Sequence, residues 1–198
     1  MHIEITDATG VEKLMLSPLV ARLGTLPAVG ELTEDTLALY REEALFADAL
    51  ARAHRYLGAA DCSPLLLRRK LQAAGVSAAL AARVAEHLMK TGLLVEQESV
   101  LREADKCLAK LWGDRRVLAA LRAKGYGAQA LAAAASHLRK QESAVRCAKL
   151  IKKRRMLLPQ DERSAARFAA SLVRYGYTGS EIKAAVRLLQ SETPPSFS

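Results

Sequence analysis

The sequence predicts an all-α chain: three tandem three-helix repeats in an elongated array, preceded by a small N-terminal β-hairpin. Three observations carry this expectation. Hydrophobic residues make up 51% of the 198 residues but aromatics only 5%, and the apolar content leans on Ala and Leu. Together with Arg, Lys and Glu these residues lose little side-chain freedom in a helix. A glycine-centred pattern recurs three times at intervals of 50 and 51 residues. Finally, the N-terminus alone shows two short alternating runs separated by a turn-forming tetrapeptide. The expected segments are an acidic N-terminal stretch (1–42), repeats over 43–94, 95–140 and 141–192, and a disordered tail (193–198) holding Pro194 and Pro195.

The N-terminal runs HIEIT and VEKLML flank Asp7-Ala8-Thr9-Gly10, a plausible hairpin turn. Gly24, Pro27 and Gly30 break the chain up after it, and Thr33 is placed to cap a short helix through Tyr40. The first repeat then opens with a helix carrying Phe46, Ala49, Leu50, Ala53 and Leu57 on one face. Comparable first helices run from about Val100 to Leu111 and from about Ala144 to Arg155.

The middle helix of each repeat ends at Gly75, Gly125 or Gly176. Leucine stands four residues before each glycine (Leu71, Leu121, Leu172), and an apolar side chain stands one after it (Val76, Tyr126, Tyr177). A helix that stops on a left-handed glycine brings those two neighbours into contact, so the triplet predicts positive φ at all three glycines. Ser63 before Pro64 reads as a helix start, with Asp114 and Ser164 at matching offsets. The third helices carry Leu80, Val84 and Leu88, or Ile182, Val186 and Leu189, with Ser77 and Ser180 as expected caps. One such unit buries little alone, so neighbours must stack.

Charge is divided along the chain. Residues 1–48 hold 3 basic and 9 acidic side chains, a balance of −6, while 49–198 hold 27 and 12, a balance of +15. A body this basic points to an acidic partner or a phosphate backbone. The candidate partner-binding cations form two groups: Arg146, Lys149, Lys152, Lys153, Arg154 and Arg155 on the last repeat's first helix, and Arg115, Arg116, Arg122 and Lys124 around the middle repeat's second helix. A third group, Arg68, Arg69 and Lys70, reads as solvated.

No arrangement supports catalysis. The chain lacks a Gly-rich phosphate loop, an HExxH helix and a nucleophile elbow. Cys62, Cys107 and Cys147 are far apart and contain no CxxC pair, so they read as buried reduced thiols. His87 and His137 share a repeat position, where packing is the simpler expectation than a metal site, and Trp112 reads as a core plug. The expectation is therefore no metal and no cofactor. No apolar run reaches the roughly 20 residues of a membrane span, and MHIEITDATG lacks the features of a signal peptide, so the expected location is the cytoplasm.

These repeats resemble the RecX family. The resemblance is carried by LARAHRYLGAADCSPLLLRRKLQAAG, WGDRRVLAALRAKGY and RFAASLVRYGYTGSEIKAAVRLL in order, with LPAVGELTEDTLALYREEALFADAL preceding them. LVEQESVLREADKC departs from the Asp-rich turn and apolar-aromatic pair usual at the second repeat, and AADCSP keeps only the serine cap, which marks a divergent member. The resemblance implies a small non-enzymatic regulator of the RecA recombinase in DNA repair, homologous recombination and the SOS response, usually an inhibitor. It also implies a monomer that binds along the RecA filament on single-stranded DNA, touching neighbouring protomers. Direct phosphate contact, and stimulation rather than inhibition, remain open. The competing reading is a helix-turn-helix DNA-binding protein, because each glycine joins two helices by a short turn.

Overall fold

The structure is a computed structural model that describes residues 2–7, 10–15 and 33–192. Among these, strands β1 (His2–Asp7) and β2 (Gly10–Met15) form one antiparallel hairpin in which His2 faces Met15 and Asp7 faces Gly10. Nine helices follow: α1 (Glu34–Ala59), α2 (Pro64–Ala73), α3 (Ala78–Lys90), α4 (Glu96–Ala109), α5 (Asp114–Ala123), α6 (Ala128–Arg139), α7 (Ser143–Lys153), α8 (Glu162–Arg174) and α9 (Gly179–Glu192). The fold is all-α apart from the hairpin. The breaks expected at Gly24, Pro27 and Gly30 and the expected tail lie outside the described residues.

The triplet of helices recurs as its sequence period requires, with the first helix packing on the third in every case: α1 on α3, α4 on α6, α7 on α9. The glycine stops are Schellman motifs. Gly75, Gly125 and Gly176 have φ of 86°, 78° and 95°. The amide after each glycine donates to the leucine carbonyl five residues back: Val76 to Leu71 at 3.0 Å, Tyr126 to Leu121 at 3.3 Å, Tyr177 to Leu172 at 3.3 Å. Those leucines are fully buried, so the stop and the core are set by the same residues.

Helix starts differ from several expectations. Thr33 does cap a helix, accepting from the Thr36 amide at 3.3 Å, but that helix runs unbroken from Glu34 to Ala59 because no breaker separates Tyr40 from Phe46. Ser77 caps α3 as expected. Gly113, not Asp114, is the N-cap of α5. Asp161 caps α8 in a capping box whose other member is Ser164. Thr178 rather than Ser180 opens α9, its hydroxyl accepting from the Glu181 amide while the Glu181 carboxylate accepts from the Thr178 amide.

The chain divides into two compact units, residues 1–60 with 66–94, and residues 61–65 with 95–198. In the first, β2 lies against α1, and Phe46, Ala49 and Ala53 of α1 are buried, as are Ala81, Val84, Ala85 and Leu88 of α3. Alanine on both faces lets two helices approach closely, and Phe46 meets His87 edge-on at 5.5 Å.

The second unit holds two clusters, one around Val100, Val117, Leu121 and Leu138, the other around Cys147, Ile151, Leu172 and Tyr177. Within it a joint recurs at the repeat period. The Ser63 hydroxyl donates to the Lys124 carbonyl at 2.6 Å, with Leu65 beside Gly125. Fifty residues on, the Gly113 amide donates to the Tyr175 carbonyl at 2.7 Å, with Arg116 beside Gly176.

Candidate partner-binding interface

Helix α7 sorts its residues by face. Cys147, Leu150 and Ile151 are buried, whereas Lys149, Lys152, Lys153, Arg154 and Arg155 are exposed. Arg146 departs from the expected strip. Only 8% of it is exposed, its Nε donates to the Trp112 carbonyl at 2.9 Å, and its guanidinium pairs with Asp114. A guanidinium committed to two internal acceptors is a structural strut rather than a docking cation. Burial pushes the Asp114 carboxyl up, against the pull of Arg146.

The strip ends in strain. Arg155 has φ 50°, a left-handed conformation without glycine, with the Met156 amide donating to the Ile151 carbonyl at 3.1 Å. Leu111 occupies the matching position after α4 with φ 58°. Each such residue costs about 1–2 kcal/mol. Neither was legible in the sequence, because no glycine marks the stop.

The middle group separates into three environments. Arg115 and Arg122 are exposed. Lys124 is exposed but paired with Glu103, which Lys106 also reaches at 3.0 Å. Arg116 is half-buried between two rings, 4.2 Å from the Trp112 centroid and 5.5 Å from that of Tyr175, and it donates to the Arg174 carbonyl at 3.3 Å. Lys110 stands over the same Trp112 ring at 5.2 Å, and Arg154 over Tyr175 at 5.6 Å.

The order Lys110, Trp112, Arg116, Tyr175, Arg154 therefore joins the two cation groups that the sequence presented separately. Cation–π contacts bias these charges toward the rings by about 0.5–1 kcal/mol each where exposed. They also commit the rings to their own cations, so Trp112 positions charge rather than offering a free stacking surface. Sequence reasoning missed Lys110 and Tyr175. The signal available was Trp112 and Arg116 at i, i+4 beside a repeat corner.

Elsewhere in this unit carboxylates take up cations. Asp61 accepts from Arg102 and Lys106, both at 2.7 Å. Burial alone would raise the Asp61 and Glu103 carboxyls, yet hydrogen bonds from their lysine and arginine partners win, and both sit below their ordinary values. By contrast, no carboxylate ion pair to Lys110, Arg115, Arg116, Lys149, Lys153, Arg154 or Arg155 is formed among the described residues. Of the candidate cations, Arg115, Arg122, Lys149, Lys153, Arg154 and Arg155 are both exposed and outside those pairs.

In the first unit Arg68 and Arg69 are exposed, and Lys70 lies over Tyr56 at 5.5 Å. His87 packs on Phe46, and His137 bonds Asp105 at 2.7 Å. The three cysteines are buried and form no disulfide, and burial pushes Cys147 up to about 12. Among the described residues no three His, Cys, Asp or Glu side chains stand together to hold a metal, and no helix is long and apolar enough to cross a membrane.

No protein-family model matches the sequence, and no curated protein matches it. Solved structures do share the fold. A crystal structure of regulatory protein RecX superposes with a TM-score of 0.75 at 16% identity, covering 94% of this chain and 97% of that one. RecX from Lactobacillus salivarius gives 0.64 at 13% identity, over 74% of this chain and 97% of that one. The chain has the fold of these RecX structures.

Proposed function

We propose that this chain is a divergent RecX-type regulator: a cytoplasmic, non-enzymatic monomer that docks on the RecA filament assembled on single-stranded DNA and limits its growth. The observation that carries the reading is the fold shared with RecX along 94% of the chain. The arrangement of charge supports it. Lys110, Arg116 and Arg154 are seated on rings, with Lys149, Lys152, Lys153 and Arg155 exposed nearby on α7 and its end. Such a preorganised basic surface suits an acidic protein face or the phosphates running beside it.

Docking through such exposed charges should weaken as ionic strength rises, because salt screens them. Co-sedimentation with RecA, with and without single-stranded DNA and nucleotide, tests the reading. The protein should pellet with assembled filaments and stay in solution with free RecA. A helix-turn-helix protein would instead select one naked duplex sequence and ignore RecA.

A further inference from the structure

Leu157 is 89% exposed, more than any other exposed large apolar side chain described; Leu45 follows at 62%. Single exposed leucines are ordinary, but this one is held out by its surroundings. Met156 and Leu158 on either side pack on the core of the last repeat. The left-handed Arg155 turns the chain immediately before them, and Pro159 restricts Leu158 to extended backbone. Leu157 therefore projects from a loop pinned on both sides. It lines a groove of about 390 Å³ shared with Met156, Phe168, Arg163 and Arg167. Both arginines are exposed, and the groove's carboxylate, Asp161, is engaged in capping α8.

We propose that Leu157 and this groove form a docking site for an acidic, apolar segment of a protein partner. The partner's leucine or phenylalanine side chains would pack on Leu157, Met156 and Phe168, and its carboxylates would face Arg163, Arg167 and the neighbouring Arg154 and Arg155. Charge complementarity selects the occupant: the rim cations require an acidic segment, and the protruding leucine gains nothing from a phosphate backbone. A rigid apolar anchor loses little conformational freedom on binding, which suits a central contact surrounded by polar ones. The site rests on the proposed docking to RecA filaments only in that both require a protein partner.

The experiment compares three labelled probes by fluorescence anisotropy. One is a synthetic peptide of Glu and Asp with Leu and Phe at helical spacing. The second carries the same charge with Ser replacing Leu and Phe, and the third is an oligothymidylate. Wild-type protein should bind the first peptide about tenfold tighter than the second. Leu157→Ser, at a position too exposed to unfold the chain, should erase that difference and leave oligothymidylate binding unchanged. The same variant should weaken co-sedimentation with RecA filaments by about tenfold.

Equal binding of the two peptides, or an unchanged preference in Leu157→Ser, overturns the proposal. So does a loss of oligothymidylate affinity in Leu157→Ser. If the wild-type protein ignores RecA filaments, the RecA reading falls and the peptide comparison still decides this one. If filament binding survives Leu157→Ser intact, the RecA reading stands without this groove and the peptide comparison alone decides the docking site.

Discussion

Alanine substituted at the three repeat glycines should cost progressively more, and the structure sets the order. Each glycine sits at positive φ, where a Cβ alone costs about 1–2 kcal/mol. At Gly75 nothing lies within 4 Å of the added carbon, so Gly75→Ala pays only that cost. At Gly125 the carbon would stand 2.8 Å from Leu65 Cδ2 and 3.1 Å from its Cβ and Cγ, so the whole of a 40% exposed side chain must shift but no backbone atom is struck, which places Gly125→Ala between the other two at about 2–3 kcal/mol. At Gly176 it would stand 2.5 Å from the Arg116 amide nitrogen, so backbone must move. Overpacking adds about 1–3 kcal/mol there and brings Gly176→Ala to about 2–5 kcal/mol.

Urea denaturation measures this ranking. The chain's single tryptophan, Trp112, reports the unit that holds Gly125 and Gly176, while far-UV circular dichroism follows the whole chain and reports Gly75→Ala. A Gly176→Ala loss no larger than that of Gly75→Ala would refute the reasoning.

Further outcomes follow from the same contacts. Arg146→Ala strands the half-buried Asp114 and frees the Trp112 carbonyl, so it should destabilise the second unit by about 3 kcal/mol in urea melts read by Trp112 fluorescence; Lys149→Ala should change stability by less than about 0.5 kcal/mol. Asp61 and Glu103 have depressed carboxyl pKa values, so their contribution is present above the ordinary values of 3.8 and 4.5 and is lost as pH falls through the folded ones. Asp61→Asn with Glu103→Gln should therefore flatten the fall in urea midpoint below about pH 4.5, and an unchanged slope would count against the network. Reversing Lys149, Lys152 and Lys153 to Glu should impair inhibition of strand exchange and leave the melting temperature nearly unchanged, because all three are exposed.

How much of this was legible in the sequence depended on whether the signal was local. A Schellman stop is written in consecutive residues, so Leu71-to-Val76 and its two counterparts announced positive φ at Gly75, Gly125 and Gly176. The hairpin runs around Asp7-Ala8-Thr9-Gly10 were local in the same way. Start positions carried by repeat offset were less reliable. Asp161 and Thr178 cap because their own N3 partners, Ser164 and Glu181, suit them, not because they match Ser63 in register.

Arg146 illustrates the limit for the interface. Helical spacing groups it with Lys149 and Lys153, but Trp112 and Asp114, more than thirty residues away, determine which side of that face is buried. The ring ladder that brings Arg116 and Arg154 to Tyr175 is likewise a tertiary arrangement that spacing cannot express.

The growth of single RecA filaments on fluorescent single-stranded DNA tests the central claim most directly. Addition of this protein should slow net filament extension in a dose- and salt-dependent way, and the Lys149, Lys152 and Lys153 charge-reversal variant should lose that effect at equal concentration. Extension that proceeds unchanged at saturating protein, together with tight sequence-selective binding to naked duplex, would contradict it.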